Sequence, residues 1–213
     1  MTRFALLLAA GVSAVAISSA AHAADLIIDE PAVGVVDVTG NWDGAYIGVF
    51  GGYGAGNYSE DGGFETDVSG WLAGVALGAN FTVSSGIVAG IVGDIAWSNI
   101  GYDEPFGTSQ LDWIGSLRGR LGFDGGAFLP YLTAGLAVAN NTIDNDISGL
   151  SDSNVHVGWT VGAGVEFAAT ENLSVDLQYR YSDYGTQTYD VGFGNFDSTI
   201  TTHQVTVGLN WSF

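Results

Sequence analysis

Two arginines spaced two residues apart are the strongest candidates for chemistry in this chain. Arg118 and Arg120 lie in the segment LDWIGSLRGRLGF, in which apolar and polar side chains alternate. A period of two places both guanidinium groups on one face of a β-strand. The same alternation in other segments places further charges on equivalent faces, at Asp94, Asp112, Glu166, Asp176 and Arg180. Together these groups would form either an ion-selective constriction or a network of paired charges that fills an interior. Because buried charges persist only when they are paired, we favour the network.

Histidines are the next candidates, because they could act as general bases. His22 falls in the N-terminal segment described below, and His156 and His203 lie near the ends of predicted strands. A hydrolase needs a nucleophile in contact with its base, and a third group that orients the base. Asp152 and Ser153 are close to His156 in sequence, but neither histidine has a spacing typical of a known triad. We therefore expect polar residues at the rim of the fold and no catalytic centre.

An acidic segment between Asp144 and Asp152 resembles the first half of a calcium-binding loop. The twelfth position of such a loop carries a bidentate Glu, whereas this chain has Val155 there. No helical pattern flanks the segment. A solvated acidic hairpin explains it better, and we expect neither a metal site nor a cofactor.

The overall composition restricts the possible partners and the type of fold. The chain has 23 acidic residues against 4 Arg, no Lys, and a formal net charge of −19. Nucleic acid is therefore not expected as a partner, because phosphates need cations opposite them. The absence of Cys excludes a disulfide framework. With 12% aromatic and only 13% charged residues, the chain is unusual for a soluble domain. A membrane β-barrel satisfies every backbone group and places its aromatic residues at the lipid boundary.

The N-terminus has the pattern of a secretory signal peptide. Arg3 supplies the positive charge, residues 4–17 form a short apolar run, and Ala21 and Ala23 provide small residues for cleavage after Ala23. We expect removal of residues 1–23, a flexible acidic periplasmic leader over residues 24–41, and an outer-membrane barrel over residues 42–213.

The rest of the chain has the pattern of eight strands. They are predicted over residues 42–53, 70–81, 87–97, 111–123, 128–138, 155–167 and 173–182, with the last ending at the C-terminus. Short connections at 83–86, 124–126 and 169–172 alternate with longer loops near 54–69, 98–109, 140–154 and 185–199. This layout predicts an all-β, eight-stranded antiparallel up-and-down transmembrane β-barrel, too narrow for a wide channel. The alternative is a soluble lipocalin-like barrel or β-sandwich, whose apolar side chains would point inward.

The last strand has the clearest pattern. Its apolar positions are Val205, Val207, Leu209, Trp211 and Phe213, and the residues between them are polar or small. We expect this strand to be the C-terminal signal for the barrel assembly machinery. Aromatic residues at strand ends are expected to form two girdles at the lipid interfaces: Trp42, Phe81, Trp97, Phe123, Phe167, Tyr181, Trp211 and Phe213.

Several segments together resemble one known family. NWDGAYIGVFGGYG after an acidic leader, GDIAWSNI, SLRGRLGF, PYLTAGLAVA and VTVGLNWSF are similar, in this order, to the small alphaproteobacterial outer-membrane β-barrel proteins often labelled "porin family protein". The resemblance covers the whole mature chain. It implies an eight-stranded barrel in the outer membrane with a structural or surface role, and it implies no catalytic residues. Family members often carry an acidic residue two positions before the one matching Asp94, where this chain has Val92.

These observations predict an integral protein of the bacterial outer membrane with a structural or surface role in the cell envelope. Its lumen is expected to be plugged by paired charges, and its partners are expected to be outer-membrane lipids. One alternative is a narrow porin for small solutes. Another is a barrel enzyme that acts on lipid or peptide.

Overall fold

A computed structural model describes residues 40–60, 64–104, 107–145, 150–190 and 195–213 of the protein. Within these residues eight strands form one closed antiparallel barrel, in which each strand pairs with its neighbours in sequence and β8 pairs with β1. The strands are β1 (Gly44–Glu60), β2 (Phe64–Ser84), β3 (Ile87–Glu104), β4 (Gly107–Phe123), β5 (Phe128–Asn145), β6 (Leu150–Ala168), β7 (Leu173–Asp190) and β8 (Asn195–Ser212). The predicted fold class is confirmed. The predicted signal peptide lies outside the described residues, as do residues 24–39 of the predicted leader.

The strands are longer than the sequence pattern predicted. The segment 54–69, expected as a loop, continues the β1–β2 hairpin in register from Gly54 opposite Gly70 to Glu60 opposite Phe64. The segments expected as loops at 98–109, 140–154 and 185–199 are likewise largely strand. About 9–11 residues suffice for a strand to cross a bilayer, so these strands of 17–21 residues extend well beyond it. Beyond the bilayer the outward face of a strand meets water and needs no apolar side chains, so the alternation that marks an embedded strand is lost.

The other end of the barrel has short turns. β2 and β3 are joined through Ser85 and Gly86, and Gly86 adopts φ +77°. Gly126, between β4 and β5, adopts φ +79°. A side chain would be strained in this left-handed region, which explains glycine at both turns. The C-terminus also lies at this end, where the Phe213 N–H donates to the Ala45 carbonyl at 3.1 Å.

The outer wall is apolar. Side chains that were predicted to face outward are exposed on every strand, including Leu77 at 64% and Leu132 at 65%. A soluble barrel would bury these residues, so the observed orientation is that of a membrane barrel. Outward aromatic residues mark both ends of the apolar wall: Trp71, Phe81, Trp97, Phe123, Trp159, Phe167, Tyr181 and Trp211. No helix in the described part of the chain is long and apolar enough to cross a membrane.

The described interior has three layers. A lower apolar cluster at the short-turn end contains Trp42, Val88 and Leu129, with Ala168 against them. A charged layer follows at mid-height. An upper apolar cluster then fills the barrel towards the long hairpins, and its buried members are Val68, Leu72, Ala96, Ile100, Leu111, Ile114, Ala137, Ala139, Tyr184 and Ile200. The charges are predicted to lie in the interior, whereas the alternation of side chains does not predict the apolar cluster in the upper lumen.

Trp42 is the one predicted girdle residue whose placement must be corrected. It precedes β1 and is buried in the mouth of the barrel, where its Nε1–H donates to the Gly126 carbonyl at 3.1 Å. The Gly40 N–H donates to the same carbonyl at 3.0 Å. The chain therefore crosses the short-turn end before β1 begins, and the indole fills the lumen instead of facing lipid.

Candidate functional site

The charged layer is centred on Asp94, which β3 holds opposite Ser116 of β4. Arg118 Nη2 donates to Asp94 Oδ2 at 2.6 Å, and Arg180 Nη1 reaches Asp94 Oδ1 from β7 at 3.1 Å. The Ser116 hydroxyl also donates to Oδ2 at 2.6 Å. Since the Asp94 side chain is only 1% exposed, this carboxylate has exchanged its hydration for two guanidinium groups and a hydroxyl.

Two glutamines provide further contacts to these arginines. Arg180 donates through Nε and Nη2 to Gln204 Oε1 at 3.0 and 2.6 Å. Arg118 Nη1 donates to Gln178 Oε1 at 2.9 Å. The alternation of strands seven and eight places both glutamines inward, but it did not show that they would bind the arginines.

The second ion pair links β4 to β6. The Arg120 Nη2 group donates to Glu166 Oε2. Glu166 Oε1 accepts hydrogen bonds from the Ser174 hydroxyl and from Asn210 Nδ2, the latter at 2.9 Å. This carboxylate is therefore held by groups from three different strands, β4, β7 and β8.

The third carboxylate, Asp176, has a different environment. Its Oδ1 accepts a hydrogen bond from the Tyr131 hydroxyl at 2.7 Å, and Gln178 Nε2 donates to the same hydroxyl at 2.9 Å. The Arg120 guanidinium lies over the Tyr131 ring, 3.8 Å from its centroid, in a cation–π contact. Tyr131 thus connects the two halves of the network. Tyr131 is not among the predicted site residues, although it has the same parity as the inward Thr133.

Glycines make room for the aromatic rings of this layer. A Cβ atom on Gly164 would lie 2.5 Å from the Tyr131 ring, and one on Gly78 would collide with the Tyr46 ring. At these two positions glycine is therefore required by the close approach of an aromatic ring.

Six of the seven predicted lumen charges lie in the charged layer, and one lies outside it. Arg118, Arg120 and Arg180 lie with Asp94, Glu166 and Asp176 in the charged layer, so equal numbers of cations and carboxylates meet there. Asp112 is half-buried in a bulge of β4, four residues from Ser116 towards the long hairpins. Val92, where relatives were expected to have an acid, is buried and lines the same layer.

A cavity of about 40 Å³ remains in the charged layer. Arg118, Arg120, Tyr131 and Asp176 line it. Within the described residues, Nε of Arg118 and Nε of Arg120 are buried without a hydrogen-bond partner. A site for one water needs roughly 10–15 Å³, so this space has room for a few water molecules that could satisfy these groups.

The histidines lie on opposite sides of the barrel wall. His156 is fully buried inside, at 0% exposure. His203 is exposed on the outer face of β8, where its Nδ1 is 2.6 Å from the Tyr179 hydroxyl. The expectation of two rim histidines is therefore wrong for His156. The side chains of the calcium-like segment from Asp144 to Asp152 lie outside the described residues.

The C-terminal strand closes the barrel by pairing with both β7 and β1. Its predicted outward residues are all exposed on the outer wall, from Leu209 at 48% to Phe213 at 74%: Val205, Val207, Leu209, Trp211 and Phe213. The inward residues of the same strand include Gln204 and Asn210 of the charged layer.

A closed sheet with an apolar outer wall, long hairpins at one end and buried ion pairs inside defines an integral β-barrel of the outer-membrane class. The chain belongs to the family described as "Outer membrane protein beta-barrel domain", whose model matches residues 5–213. It is 35% identical over 178 residues to the 22 kDa outer membrane protein of Rhizobium leguminosarum bv. viciae, covering 84% of this chain and 81% of that protein. It is 34% identical over 201 residues to the 25 kDa outer-membrane immunogenic protein of Brucella abortus, covering 92% of each. The expected family and the expected location in the bacterial outer membrane are confirmed.

The fold is also similar to that of a solved outer-membrane barrel. The crystal structure of Neisserial surface protein A superimposes with a TM-score of 0.51 at 18% identity, covering 79% of this chain and 97% of that one. At this identity the similarity concerns the fold alone.

Proposed function

We propose that this protein is a closed barrel with a structural and surface role in the cell envelope, and that it conducts no solutes. The observation that carries the proposal is the filling of the lumen. Ion pairs occupy its middle, apolar clusters lie above and below them, and the cavity in the charged layer measures about 40 Å³.

Conduction would require a continuous hydrated path. Leu72, Ile100 and Tyr184 are each at most 2% exposed in the upper cluster, so a solute would have to displace packed side chains there. It would then have to separate ion pairs of Asp94, and breaking a buried pair costs about 3–5 kcal/mol. Both barriers act in series.

Planar-bilayer recording tests this proposal. The full protein, extracted in detergent and shown to be folded by its altered gel mobility without boiling, is expected to give no steady single-channel steps. Arg118→Gln and Arg120→Gln are the diagnostic variants because both residues line the cavity. A general porin reconstituted in the same way is the positive control.

The alternative function, a narrow pore for small solutes, makes the opposite prediction. Steady steps in the unmodified protein, with a conductance or ion selectivity that changes in either arginine variant, would establish the pore and end the proposal of a closed lumen. Steps that are identical in all three proteins would point to a contaminant.

The proposed surface role is supported by the names of related proteins. Proteins of Brucella that share the family with this chain are named immunogenic, which fits exposure of long hairpins at the cell surface. Eleven acids lie in the segments that connect the apolar parts of the strands at this end: Glu60, Asp61, Glu65, Asp67, Asp103, Glu104, Asp144, Asp146, Asp152, Asp190 and Asp197. We assign to this acidic end the contacts with host or environmental molecules.

Cysteine labelling tests which end is outside, because the chain has no native Cys. Asp67→Cys reports on a long hairpin and Ser85→Cys on a short turn, and both side chains are exposed. A membrane-impermeant maleimide is expected to label position 67 on intact cells, and position 85 only after permeabilisation. The reverse pattern would refute the proposed orientation.

An enzymatic function is not part of the proposal. His156 is inside the wall and His203 outside it, so the two histidines cannot share a reacting group. Esterase, deacylase and peptidase assays on the folded protein are expected to show no turnover. An activity lost in His156→Ala or His203→Ala would contradict this.

We also propose that the barrel assembly machinery recognises the last strand, β8. Phe213, directly after β8, is the last of the outward-facing residues, and its N–H donates a hydrogen bond to the Ala45 carbonyl. Deletion of Phe213 is expected to reduce the amount of folded protein in the outer membrane, whereas Phe213→Tyr keeps the ring and is expected to preserve it.

We further propose that the signal peptide is cleaved after Ala23. N-terminal sequencing of the membrane-extracted protein would test this.

A further inference from the structure

The outer wall of the barrel has one unusual polar feature. After Arg3 the chain contains three arginines, and all of them are buried in the charged layer. Lys is absent from the chain. Because His156 is also buried, His203 is the only basic side chain exposed on the outer wall in the part of the chain that the structure describes.

His203 belongs to a cluster of aromatic rings that spans β6, β7 and β8. Its ring centroid is 5.0 Å from that of Tyr181 and 6.1 Å from that of Tyr179. Tyr181 in turn lies 5.5 Å from Trp159, with the rings tilted at 56°. We call Trp159, Tyr179, Tyr181 and His203 the outer-wall cluster.

A hydrogen bond orients the imidazole within this cluster. The Tyr179 hydroxyl is 2.6 Å from His203 Nδ1. When that hydroxyl donates, the ring proton is on Nε2. When the ring is protonated, Nδ1–H donates to the hydroxyl and Nε2 again carries a proton. In these two states the exposed ring presents an Nε2–H donor on the edge away from Tyr179, whereas the neutral tautomer with its proton on Nδ1 leaves Nε2 as an acceptor.

The height of the cluster places it at a lipid interface. Trp211 and His203 are eight residues apart on β8, which at about 3.4 Å per residue and a tilt near 40° corresponds to roughly 21 Å along the barrel axis. The apolar band of such barrels is about 25 Å tall. His203 thus lies near the edge that faces the long hairpins, where lipid headgroups begin.

We propose that the outer-wall cluster binds the phosphorylated sugar headgroup of a lipid in the outer leaflet. His203 Nε2–H donates to a phosphate oxygen, and the rings of Trp159 and Tyr181 pack against the C–H faces of the sugar. Aromatic side chains suit this position because one part is apolar and the other polar. One carboxylate borders the site: Asp183 of β7 lies opposite Trp159, and its Oδ1 accepts the Gly185 N–H at 2.9 Å. The proposal rests on the orientation stated above, with the long hairpins outside.

The test uses the full protein extracted in detergent and a defined probe, an acylated glucosamine disaccharide with two phosphates. Native mass spectrometry measures how much probe each variant retains. The same lipid without phosphates, and the phosphorylated disaccharide without acyl chains, are the comparison ligands. We expect the unmodified protein to retain the complete probe at least fivefold better than either of them.

Matched variants separate a specific site from general lipid contact. His203→Leu and Trp159→Leu are expected to lower retention at least fivefold, and His203→Gln, which keeps a donor, to lower it less. Trp97→Leu is the control, because Trp97 is also an exposed outward tryptophan but lies on β3. Tyr179→Phe leaves the wall intact and removes the hydroxyl that orients the imidazole, so it is expected to lower retention about two- to threefold.

The outcomes distinguish this inference from the proposed function. Equal effects of Trp159→Leu and Trp97→Leu, or equal retention of the probe without phosphates, would overturn the headgroup site. Equal retention of the disaccharide without acyl chains would assign the cluster to a soluble sugar phosphate and would also overturn it. The cysteine labelling at positions 67 and 85 tests the orientation separately.

Discussion

The charged layer and the upper apolar cluster fill the same lumen by different means. Asp94 is held by directional contacts, with distances of 2.6 and 3.1 Å to two arginines. Leu72 and Ile100 in the upper cluster are equally buried but make no directional contact through their side chains. Charge pairing defines which side chains must meet, whereas apolar packing requires only volume and shape. The charged layer is therefore specific for its partners, whereas the upper cluster tolerates substitutions that keep its volume and shape.

The largest effect is expected from removing the shared carboxylate. Asp94→Ala leaves Arg118 and Arg180 in the lumen without their counterion, and we expect the free energy of unfolding to fall by about 4 kcal/mol. Urea titration of the protein refolded in lipid vesicles measures this loss. Asp67→Ala, at an exposed carboxylate, is the control and is expected to change stability by less than about 0.5 kcal/mol. Equal losses in both variants would show that the ion network contributes nothing.

A cavity in the apolar layer is expected to have the next largest effect. Leu72→Ala removes a side chain that is 1% exposed, and we expect a loss of about 3 kcal/mol in the same titration. Leu77→Ala on the outer wall of the same strand is the matched control. Acyl chains can fill the space it leaves, so a much smaller loss is expected. If Leu77→Ala proves the more damaging of the two, the upper cluster is not a packed core.

Adding a methyl group beside Tyr131 is expected to lower the free energy of unfolding by a smaller amount. A Cβ atom on Gly164 would lie 2.5 Å from the tyrosine ring, whereas one on Gly119 would be 3.8 Å from its nearest neighbour. Gly164→Ala is therefore expected to destabilise the barrel by about 2 kcal/mol. Gly119→Ala is expected to be neutral or slightly stabilising, because it restricts the unfolded chain. Comparable losses at the two positions would mean that strand propensity, and not crowding, decides the effect.

Loss of one hydroxyl is expected to have the smallest effect. Tyr131→Phe removes the group that joins Asp176 and Gln178 but keeps the ring under Arg120. We expect a loss of about 1 kcal/mol, near the net value of a hydrogen bond, because water in the neighbouring cavity can occupy the vacated position. A loss as large as that of Asp94→Ala would make Tyr131 the centre of the network instead of Asp94.

Much of the fold could be predicted because its signal is local. Strand seven alternates Leu177 and Tyr179 with Gln178 and Arg180, and the pleat of a strand converts that order directly into an outer and an inner face. The hairpin ends could not be bounded in the same way. Near Asp67 and Asn57 the outward side chains are polar and exposed, while Val68 packs inside the barrel, so the apolar-outward alternation ends although the strands continue.

The site was predictable only as a set of inward charges. Alternation showed that Arg118, Arg120 and Arg180 share the interior with acids, but a period of two does not give height or partner. Asp112 has the same inward parity as Arg118, yet a bulge in β4 and its position nearer the long hairpins keep it out of the charged layer. Trp42 had the aromatic character of a girdle residue, and only the path of the chain across the barrel mouth shows that it is buried.

By itself, the sequence determined the number of strands, the face of most residues in the embedded strands and the membrane environment, because these follow from the order of apolar and polar side chains along the chain. Only the tertiary structure decided which charges pair, that Tyr131 links them, and that an apolar cluster fills the upper lumen. These features depend on strand stagger and on contacts across the barrel, such as Arg180 of β7 with Asp94 of β3. The physical reason is that closure of the sheet brings together residues that are far apart along the chain, and their spacing in the sequence does not indicate that they will be in contact.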